Sequence, residues 1–424
     1  MCKSFKYIAI LSIFLVATIN TNAQKLEEKV YKPGIKTVQV KKKADSLAPP
    51  VIGLGTGEQV VLSFDELKGE RHSYSYKLVH CNANWVASDL MEHEYLYSQF
   101  KSDIQFSKNS FNTLIPYTHY REVIPNNRIE PSISGNYAII VYEYNAPEDT
   151  VLVAHFRITE NKASVQASSE RINQMSPDKP NQQLTFSIDT RSLMISNPYQ
   201  DIKAIVRQNG HKNRIISNVS PSTMQGDKLT YQNLDALKFK GGNEFRSFNS
   251  KSVEFAGHNI EKIDFLRNKF HIRLSPDKSR KRQKYQIEQE LNGKFQIDKE
   301  RSNEPHLEAD YVYVYFTLKD KTPEMTGGKV YVTGGFNNWQ HTKETEMKYN
   351  FDQKAYENRL LLKQGYYNYK YELVNDRGVE ETFYSGNHAK TENEYEVYIY
   401  YEDVSKGYDR LIGHTLYNTS SMDY

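Results

Sequence analysis

The segment YSYKLVH, from Tyr74 to His80, decides the fold class, because its side chains alternate between two faces. One face carries Tyr74, Tyr76, Leu78 and His80. This period of two predicts a half-buried β-strand. Two further aromatic segments follow, SFNTLIPYTHYREVIPN at Ser110–Asn126 and SGNYAIIVYEY at Ser134–Tyr144. Polar turns separate the three segments, and this spacing indicates a β-sandwich.

The composition supports an all-β protein of several domains. The chain has 424 residues, which is long for a single core and favours two to four domains. It contains 32 Tyr and 19 Phe but 2 Trp, and 38% of its residues are hydrophobic. Aromatic and β-branched segments at this density favour strands over helices.

The first residues have the features of an export signal. Lys3 and Lys6 precede the apolar run Ile8–Ile19, and small residues before Gln24 predict cleavage after Ala23. The alternative is a membrane anchor, but the run is shorter than the roughly 20 residues that span a bilayer. No later stretch resembles a transmembrane helix. We therefore predict signal peptide 1–23 and an exported, soluble mature chain.

Removal of residues 1–23 takes away two lysines and no acidic residue, so the net charge falls from +3 to +1. A nearly neutral chain has no global electrostatic attraction to nucleic acid. Cleavage also removes Cys2 and leaves Cys81 as the last cysteine, which excludes an intramolecular disulfide.

Shifts in composition divide the mature chain into three consecutive β-sandwich, immunoglobulin-like domains. We predict an N-terminal sandwich at residues 34–160, a second at 161–301 and a C-terminal domain at 309–402. Residues 403–424 are predicted to form an extended tail.

Candidate catalytic and metal-binding residues give weak signals. Cys81 has His80 beside it, but neighbouring strand residues point to opposite faces, so the two cannot form a dyad in a regular strand. His119 remains a candidate base, which leaves a cysteine hydrolase as an open alternative. His80, Cys81, His93 and His119 lack the spacing of a zinc site. No serine-hydrolase elbow or phosphate-binding loop occurs. We predict no enzyme activity, no metal and no cofactor.

The C-terminal unit has a more specific pattern. Val330–Trp339 (VYVTGGFNNW) followed by Leu362–Tyr371 (LKQGYYNYKY) resembles the early-set immunoglobulin-like modules of glycogen- and starch-binding proteins. Trp339 is therefore a candidate glycan-binding residue, since aromatic faces stack on sugar rings. The alternative is that Trp339 fills the interior of its own sandwich. Such modules often carry another tryptophan where this chain has Asn375–Gly378, so we favour the fold resemblance without sugar binding.

Six blocks follow one another along the chain, namely HCNANW (His80–Trp85), SFNTLIPYTHY (Ser110–Tyr120), Pro125-Asn126, SGNY (Ser134–Tyr137), QNG (Gln208–Gly210) and GGNEFR (Gly241–Arg246). In this order they resemble the plug protein family of the type IX secretion system, and the resemblance spans roughly residues 34–270.

The resemblance implies a non-catalytic periplasmic protein at the periplasmic face of the outer membrane. It implies binding to the outer-membrane β-barrel translocon and closure of its periplasmic opening, without a membrane span and without nucleic acid. A periplasmic or surface glycan-binding protein, acting through the C-terminal unit, is the alternative function.

The resemblance also gives a structural role to residues of the blocks, namely His80, Cys81, Trp85, Tyr117, His119, Tyr137, Asn243 and Phe245. We expect Trp85, Tyr117 and Tyr137 to be largely buried. His80 and His119 are expected to make hydrogen bonds rather than to bind metal.

Overall fold

The regular secondary structure of the described part of the protein is almost entirely β-strand. The structure, a computed structural model, describes residues 25–68, 71–172, 181–321 and 327–421. The predicted signal peptide, residues 1–23, lies outside these ranges. Within them, no helix has the length and apolar character needed to cross a bilayer.

The first part of the chain contains ten strands and the one-turn helix α1 (Glu92–Tyr95). The strands are β1 (Lys29–Val30), β2 (Ile35–Lys42), β3 (Val51–Gly53), β4 (Val60–Leu67), β5 (Tyr74–Cys81), β6 (Lys101–Asp103), β7 (Phe106–Asn109), β8 (Tyr117–Ile124), β9 (Gly135–Glu143) and β10 (Ala146–Thr159).

Seven strands and the helix α2 (Pro198–Asp201) come next. The strands are β11 (Ser164–Ile172), β12 (Asn181–Asp189), β13 (Ile202–Gln208), β14 (Ile215–Val219), β15 (Thr223–Gln225), β16 (Lys228–Tyr231) and β17 (Lys238–Lys240).

The remaining strands begin at Arg246, with the helix α3 (Pro305–Glu308) among them. They are β18 (Arg246–Asn249), β19 (Ile260–Leu266), β20 (Lys269–Leu274), β21 (Asp277–Lys278), β22 (Phe295–Ile297), β23 (Tyr311–Lys319), β24 (Lys329–Thr333), β25 (Lys348–Asn350), β26 (Ala355–Lys363), β27 (Gly365–Asn375), β28 (Gly378–Glu380), β29 (Glu394–Asp403) and β30 (Tyr408–Asn418).

The N-terminal sandwich, residues 25–160, consists of the sheets β1-β10-β9-β5-β6, with β3 also on β10, and β2-β4-β8-β7. Side chains from both sheets share one core. The alternation in β5 is confirmed, since Tyr74, Tyr76, Leu78 and His80 are all buried. The interior of this sandwich is accordingly rich in tyrosine.

The middle sandwich combines residues 163–240 with residues 394–418. Its sheets are β11-β12-β16-β15, with β17 on β12, and β14-β13-β29-β30. The inserted sandwich, residues 246–384, has the sheets β18-β27-β22, with β24 and β28 on β27, and β19-β20-β23-β26-β25, with β21 on β23. Each sandwich has its own core cluster. The all-β sandwich fold class is thus confirmed.

The strand pairing differs from the predicted boundaries 161–301, 309–402 and 403–424. Strand β13 pairs with β29, from Ile202↔Tyr401 to Gln208↔Tyr395, so the middle sandwich is closed by residues from far along the chain. Strand β18 pairs with β27 instead of with the strands before it. The predicted tail holds β30, which pairs with β29. The local pattern marks a strand but does not encode its partner, which is why the insertion was not predicted.

Candidate functional site: three joints between the sandwiches

The residues singled out in the sequence lie mainly where two sandwiches meet. Each sandwich contacts both of the others, and we name the contacts the N-terminal/inserted, N-terminal/middle and middle/inserted joints. All three joints contain buried polar side chains. Their hydrogen bonds and ion pairs determine how the sandwiches are held together.

Tyr117 belongs to the N-terminal/inserted joint. It follows the loop 110–116 and begins β8, and its side chain is fully buried. The Tyr117 hydroxyl donates to the carbonyl oxygens of His306 (3.0 Å) and Ala309 (2.9 Å) in the inserted sandwich. The Lys363 ammonium lies 4.1 Å from the centre of the Tyr117 ring. This residue therefore connects two sandwiches, and its predicted burial is confirmed.

A buried ion pair forms the centre of the same joint. The Lys363 ammonium lies 2.6 Å from Asp65 Oδ2, and both side chains are 1% exposed. The Tyr311 hydroxyl donates to the same oxygen at 2.8 Å. His119 Nδ1 lies 2.6 Å from Asp65 Oδ1, as expected for a hydrogen-bonded histidine. Burial opposes the charged carboxylate, but Lys363 and His119 together hold the pKa of Asp65 below its ordinary value.

Backbone groups complete this joint. The amides of Leu114 and Ile115 donate to the two carboxylate oxygens of Asp310, at 2.8 and 3.1 Å. The plug-like block SFNTLIPYTHY thus docks on the inserted sandwich through its main chain as well as through Tyr117. Burial of these charged groups is tolerated because each of them is hydrogen-bonded.

Trp85 lies in the N-terminal/middle joint. Its ring stacks on His155 with centroids 3.6 Å apart, and the Arg157 guanidinium lies 4.7 Å from its centroid. The same guanidinium is 4.0 Å from the Tyr398 ring of the middle sandwich. Trp85 itself is only half-buried, so the prediction of a largely buried ring is too strong for this residue. Its ring nevertheless helps to position Arg157 against the neighbouring sandwich.

His80 is held by hydrogen bonds in the same joint. Its Nδ1 lies 2.9 Å from Ser88 Oγ, and its Nε2 lies 3.1 Å from the Ser134 carbonyl oxygen. The Tyr408 ring from the middle sandwich packs edge-on against it at 5.4 Å. Burial lowers the pKa of His80 to about 4, so the ring is neutral at physiological pH. The predicted hydrogen bonding is confirmed.

Cys81 and Tyr137 are fully buried neighbours of His80. Burial raises the pKa of the Cys81 thiol to about 12, which disfavours the thiolate that a nucleophilic cysteine needs. The thiol contacts the Val79 carbonyl oxygen at 3.6 Å, while the His80 ring nitrogens are engaged with other groups. The predicted burial of Tyr137 is confirmed, and its hydroxyl donates to the Ile133 carbonyl oxygen. This geometry provides no exposed nucleophile.

A charged pair within the middle sandwich, Arg207 with Glu396, lies at the N-terminal/middle joint. Arg207 donates two hydrogen bonds to Glu396, at 3.1 and 2.6 Å. Although burial alone would raise it, the pKa of Glu396 is held at about 2 by Arg207. The turn of HCNANW adds a direct link, since the amide of Ala83 donates to Asp409 at 2.9 Å.

Trp339 lies in the middle/inserted joint and is 2% exposed. Its ring centroid is 4.3 Å from that of His211 in the middle sandwich and 5.7 Å from that of Phe245. A Cβ on Gly293 would lie 2.7 Å from the ring, so the glycine makes room for it. The ring fills the joint between two sandwiches instead of the interior of one. The less favoured candidate role, in which an exposed Trp339 stacks on a sugar, does not fit this burial.

The block GGNEFR connects the middle sandwich to the inserted one. Asn243 donates from its side-chain amide to the Ser385 carbonyl oxygen at 2.8 Å. Phe245 is buried against Trp339, and Lys370 lies 5.9 Å from its ring. Both motif residues thus fasten the point at which the chain enters the inserted sandwich.

One cluster of charged side chains in this joint contains three groups that have metal-ligating chemistry. Atoms of His211, Glu372 and Glu381 lie within 4.8 Å of one another. However, the Lys370 ammonium already contacts both carboxylates, at 2.8 and 2.9 Å, and Arg214 pairs with Glu381. Two permanent cations therefore balance the two carboxylates, and the donor set does not fit a metal ion.

Comparisons with known proteins agree with this architecture. Residues 35–160 match the family described as "Type 9 secretion system plug protein 1st domain". The crystal structure of a hypothetical protein from Parabacteroides merdae ATCC 43184 is 34% identical, covers 93% of this chain and 100% of its own, and superposes with a TM-score of 0.89. The chain belongs to the type 9 secretion system plug family.

Two further comparisons add nothing to this assignment. The serine-rich repeat adhesion glycoprotein Srr1 from Streptococcus agalactiae is 12% identical over 48% of this chain and 86% of its own. Its TM-score of 0.14 is too low to indicate a shared fold. No curated protein matches the sequence. Membership of the plug family supports a part for this chain in type IX secretion.

Several residues at the joints of this plug-family protein were not singled out from the sequence. They are Asp65, Lys363, Arg157, Glu396 and Glu372. Each is a charged residue within a strand, where exposure is the usual expectation. Lys363 ends the apolar run LLLK, and that proximity was the one local signal of burial.

Proposed function

We propose that the protein binds the outer-membrane translocon barrel of the type IX system and closes its periplasmic opening. In this proposal residues 1–23 direct export, the mature chain works in the periplasm, and no catalysis is involved. The match of residues 35–160 to the plug family is the observation that carries the proposal.

The joints support a role as a rigid cap. A wide barrel with a water-filled lumen leaks unless its opening is covered. Separating two sandwiches of this chain would part Asp65 from Lys363 or Arg214 from Glu381, which costs roughly 3–5 kcal/mol per buried pair. Three such joints favour one fixed arrangement of the sandwiches over a flexible string.

An exposed apolar groove gives a candidate contact surface. It has a volume of ≈ 340 Å³ and is lined by residues of the N-terminal and inserted sandwiches, including Leu114, Phe265 and Phe270. Leu114 is 43% and Phe265 55% exposed. Contiguous exposed apolar side chains of this kind commonly mark protein–protein contacts. We propose that this groove contacts the translocon.

A pull-down from membranes in mild detergent tests the proposal. The tagged protein is expected to recover a very large β-barrel protein, and crosslinking from position 114 or 265 is expected to join the two. Recovery of soluble partners without the barrel would refute the proposal.

Matched variants sharpen this experiment. Leu114→Asp combined with Phe265→Asp should reduce recovery of the barrel while the protein stays folded. Phe351→Asp is the control, because Phe351 is 76% exposed but lies outside the groove. If both variants recover the barrel equally well, the groove is not the contact surface.

A further inference from the structure

A cleft of ≈ 660 Å³ lies where the three sandwiches meet. Its walls include residues 28–41 (without 34) and 46–50 of the N-terminal sandwich, Arg207 and Gly210 of the middle sandwich, and residues 335–345 (without 339 and 341) of the inserted sandwich. The volume is in the range of pockets that bind ligands, roughly 300–1,000 Å³.

The cleft follows the free edge of a strand. Strand β2 is the outermost strand of its sheet and pairs with β4 on one side only. Every residue from Ile35 to Lys41 lines the cleft, although successive side chains of a strand point to opposite faces. A cavity touches both sets of side chains only when it runs along the strand edge. The unpaired backbone groups of β2 therefore face this space, which makes them available to a further strand.

One side of this edge carries Lys41, whereas Lys36 on the same strand is already paired with Glu344 of the opposite wall. Lys41 pairs in register with Val61 on β4, so the two side chains lie on the same face of the sheet. Val61 precedes Asp65 by four residues and therefore shares its face as well. Since Asp65 contacts Lys363, this is the face that is turned toward the inserted sandwich. Among the described residues, none carries a carboxylate within salt-bridge distance of Lys41, and the same holds for Lys343 across the cleft. Burial lowers the pKa of Lys41 to about 8, as expected for an ammonium without a partner.

The other side of the edge is apolar. Val40 pairs in register with the core residue Leu62, so it faces the sandwich interior. Val38 and Val40 are partly buried and pack against that core, and both line the cleft. Leu47 and Phe336 extend the apolar lining on opposite walls. A strand beside β2 would therefore meet positive charge with one set of side chains and apolar surface with the other.

We propose that this cleft binds an extended polypeptide segment with alternating acidic and apolar residues, which adds as a strand to the free edge of β2. The acidic side chains pair with Lys41 and Lys343, and the apolar side chains pack on Val38 and Val40. This site goes beyond closure of the translocon and does not depend on it.

Fluorescence anisotropy tests the site with purified protein and a fluorescein-labelled peptide that alternates Glu and Val. Saturable binding is expected, and a peptide with Lys in place of Glu should not bind. Lys41→Gln combined with Lys343→Gln should weaken binding by about tenfold or more. Lys43→Gln is the matched control, since Lys43 is exposed, bonds to Gln59 and lies outside the cleft, and it should leave the affinity unchanged.

Hydrogen exchange of the backbone amides supplies a second measurement, which a purely electrostatic attraction between the peptide and the lysines would not change. Binding should slow exchange of amides in Ile35–Lys42. Absence of saturable binding, equal loss in the Lys43→Gln control, or protection confined to other strands would each overturn the proposal. Since no translocon is present in this experiment, its failure would leave the proposed closure of the barrel unaffected.

Discussion

Replacement of Lys363 by methionine tests whether the N-terminal/inserted joint depends on its buried ion pair. Methionine keeps most of the apolar stem but removes the ammonium charge, so Asp65 stays buried with only His119 and Tyr311 as partners. Both side chains of the pair are 1% exposed. Breaking a buried pair by removing one partner costs about 3–5 kcal/mol of unfolding free energy.

A matched substitution separates burial from charge. Lys251 pairs with Asp298 at the same nitrogen–oxygen distance of 2.6 Å, but these side chains are 36% and 32% exposed. Lys251→Met should cost only about 0–1 kcal/mol, since exposed pairs are weak. Urea unfolding of both variants, followed by tyrosine fluorescence and circular dichroism, measures the difference. Equal costs for the two variants would refute the reasoning.

The pH dependence gives an independent check on Lys363→Met. In the native protein the pKa of Asp65 lies below its ordinary value of 3.8, so its contribution to stability is present above that pH and is lost as the pH falls through the folded-state pKa. Without Lys363, burial dominates and raises the folded-state pKa. The Asp65 contribution to the acid-induced loss of stability should therefore shrink or reverse in the variant, so the unfolding free energy of the variant should fall less on acidification than that of the native protein. If the unfolding free energy of the variant depends on acidic pH in the same way as that of the native protein, this account is contradicted.

Three further predictions concern other buried groups. Burial raises the pKa of Glu244 from 4.5 to about 7, so its contribution favours the folded state at low pH and is lost as the pH rises from 4.5 to about 7. Glu244→Gln should therefore flatten the loss of stability across that pH range in urea titrations. Trp339→Ala should lower the unfolding free energy by about 3–5 kcal/mol, because the Trp339 ring fills a joint between two sandwiches. For the same reason, titration of the native protein with soluble α-glucans should give no signal that depends on Trp339. Cys81, which is fully buried, should react with a thiol reagent only after unfolding, as a timed absorbance assay would measure.

The strands themselves could be predicted from the sequence because their signal is local. The alternation Tyr74, Tyr76, Leu78, His80 reports the buried face of β5, and all four side chains are buried. The segment Tyr311–Lys319 likewise alternates, with Val312, Val314, Phe316 and Leu318 directed into the core. Period two depends on each strand alone, and no knowledge of its neighbours is required.

The partners of strands and the positions of the joints could not be predicted in the same way. Segment 394–401 falls within the predicted C-terminal domain 309–402, but nothing in its sequence shows that it pairs with β13 nearly 200 positions earlier. Trp339 has the sequence context of a sugar-binding tryptophan, and only the three-dimensional arrangement brings His211 and Phe245 over its ring. The sequence around Lys363 predicts an exposed lysine, and only the fold shows that Lys363 is buried beside Asp65 of another sandwich.

The chain connectivity makes the three joints unequal. The inserted sandwich is tied to the middle one at both ends, near residues 241–246 and 384–394, so the middle/inserted joint forms at a high effective concentration. One linker near residues 160–163 connects the N-terminal and middle sandwiches. The N-terminal and inserted sandwiches have no linker of their own and meet through side-chain and backbone contacts such as Asp65–Lys363 and Tyr117–Ala309. This joint closes the ring of three sandwiches, so its loss, rather than loss of either tethered joint, should be the first step by which the arrangement opens.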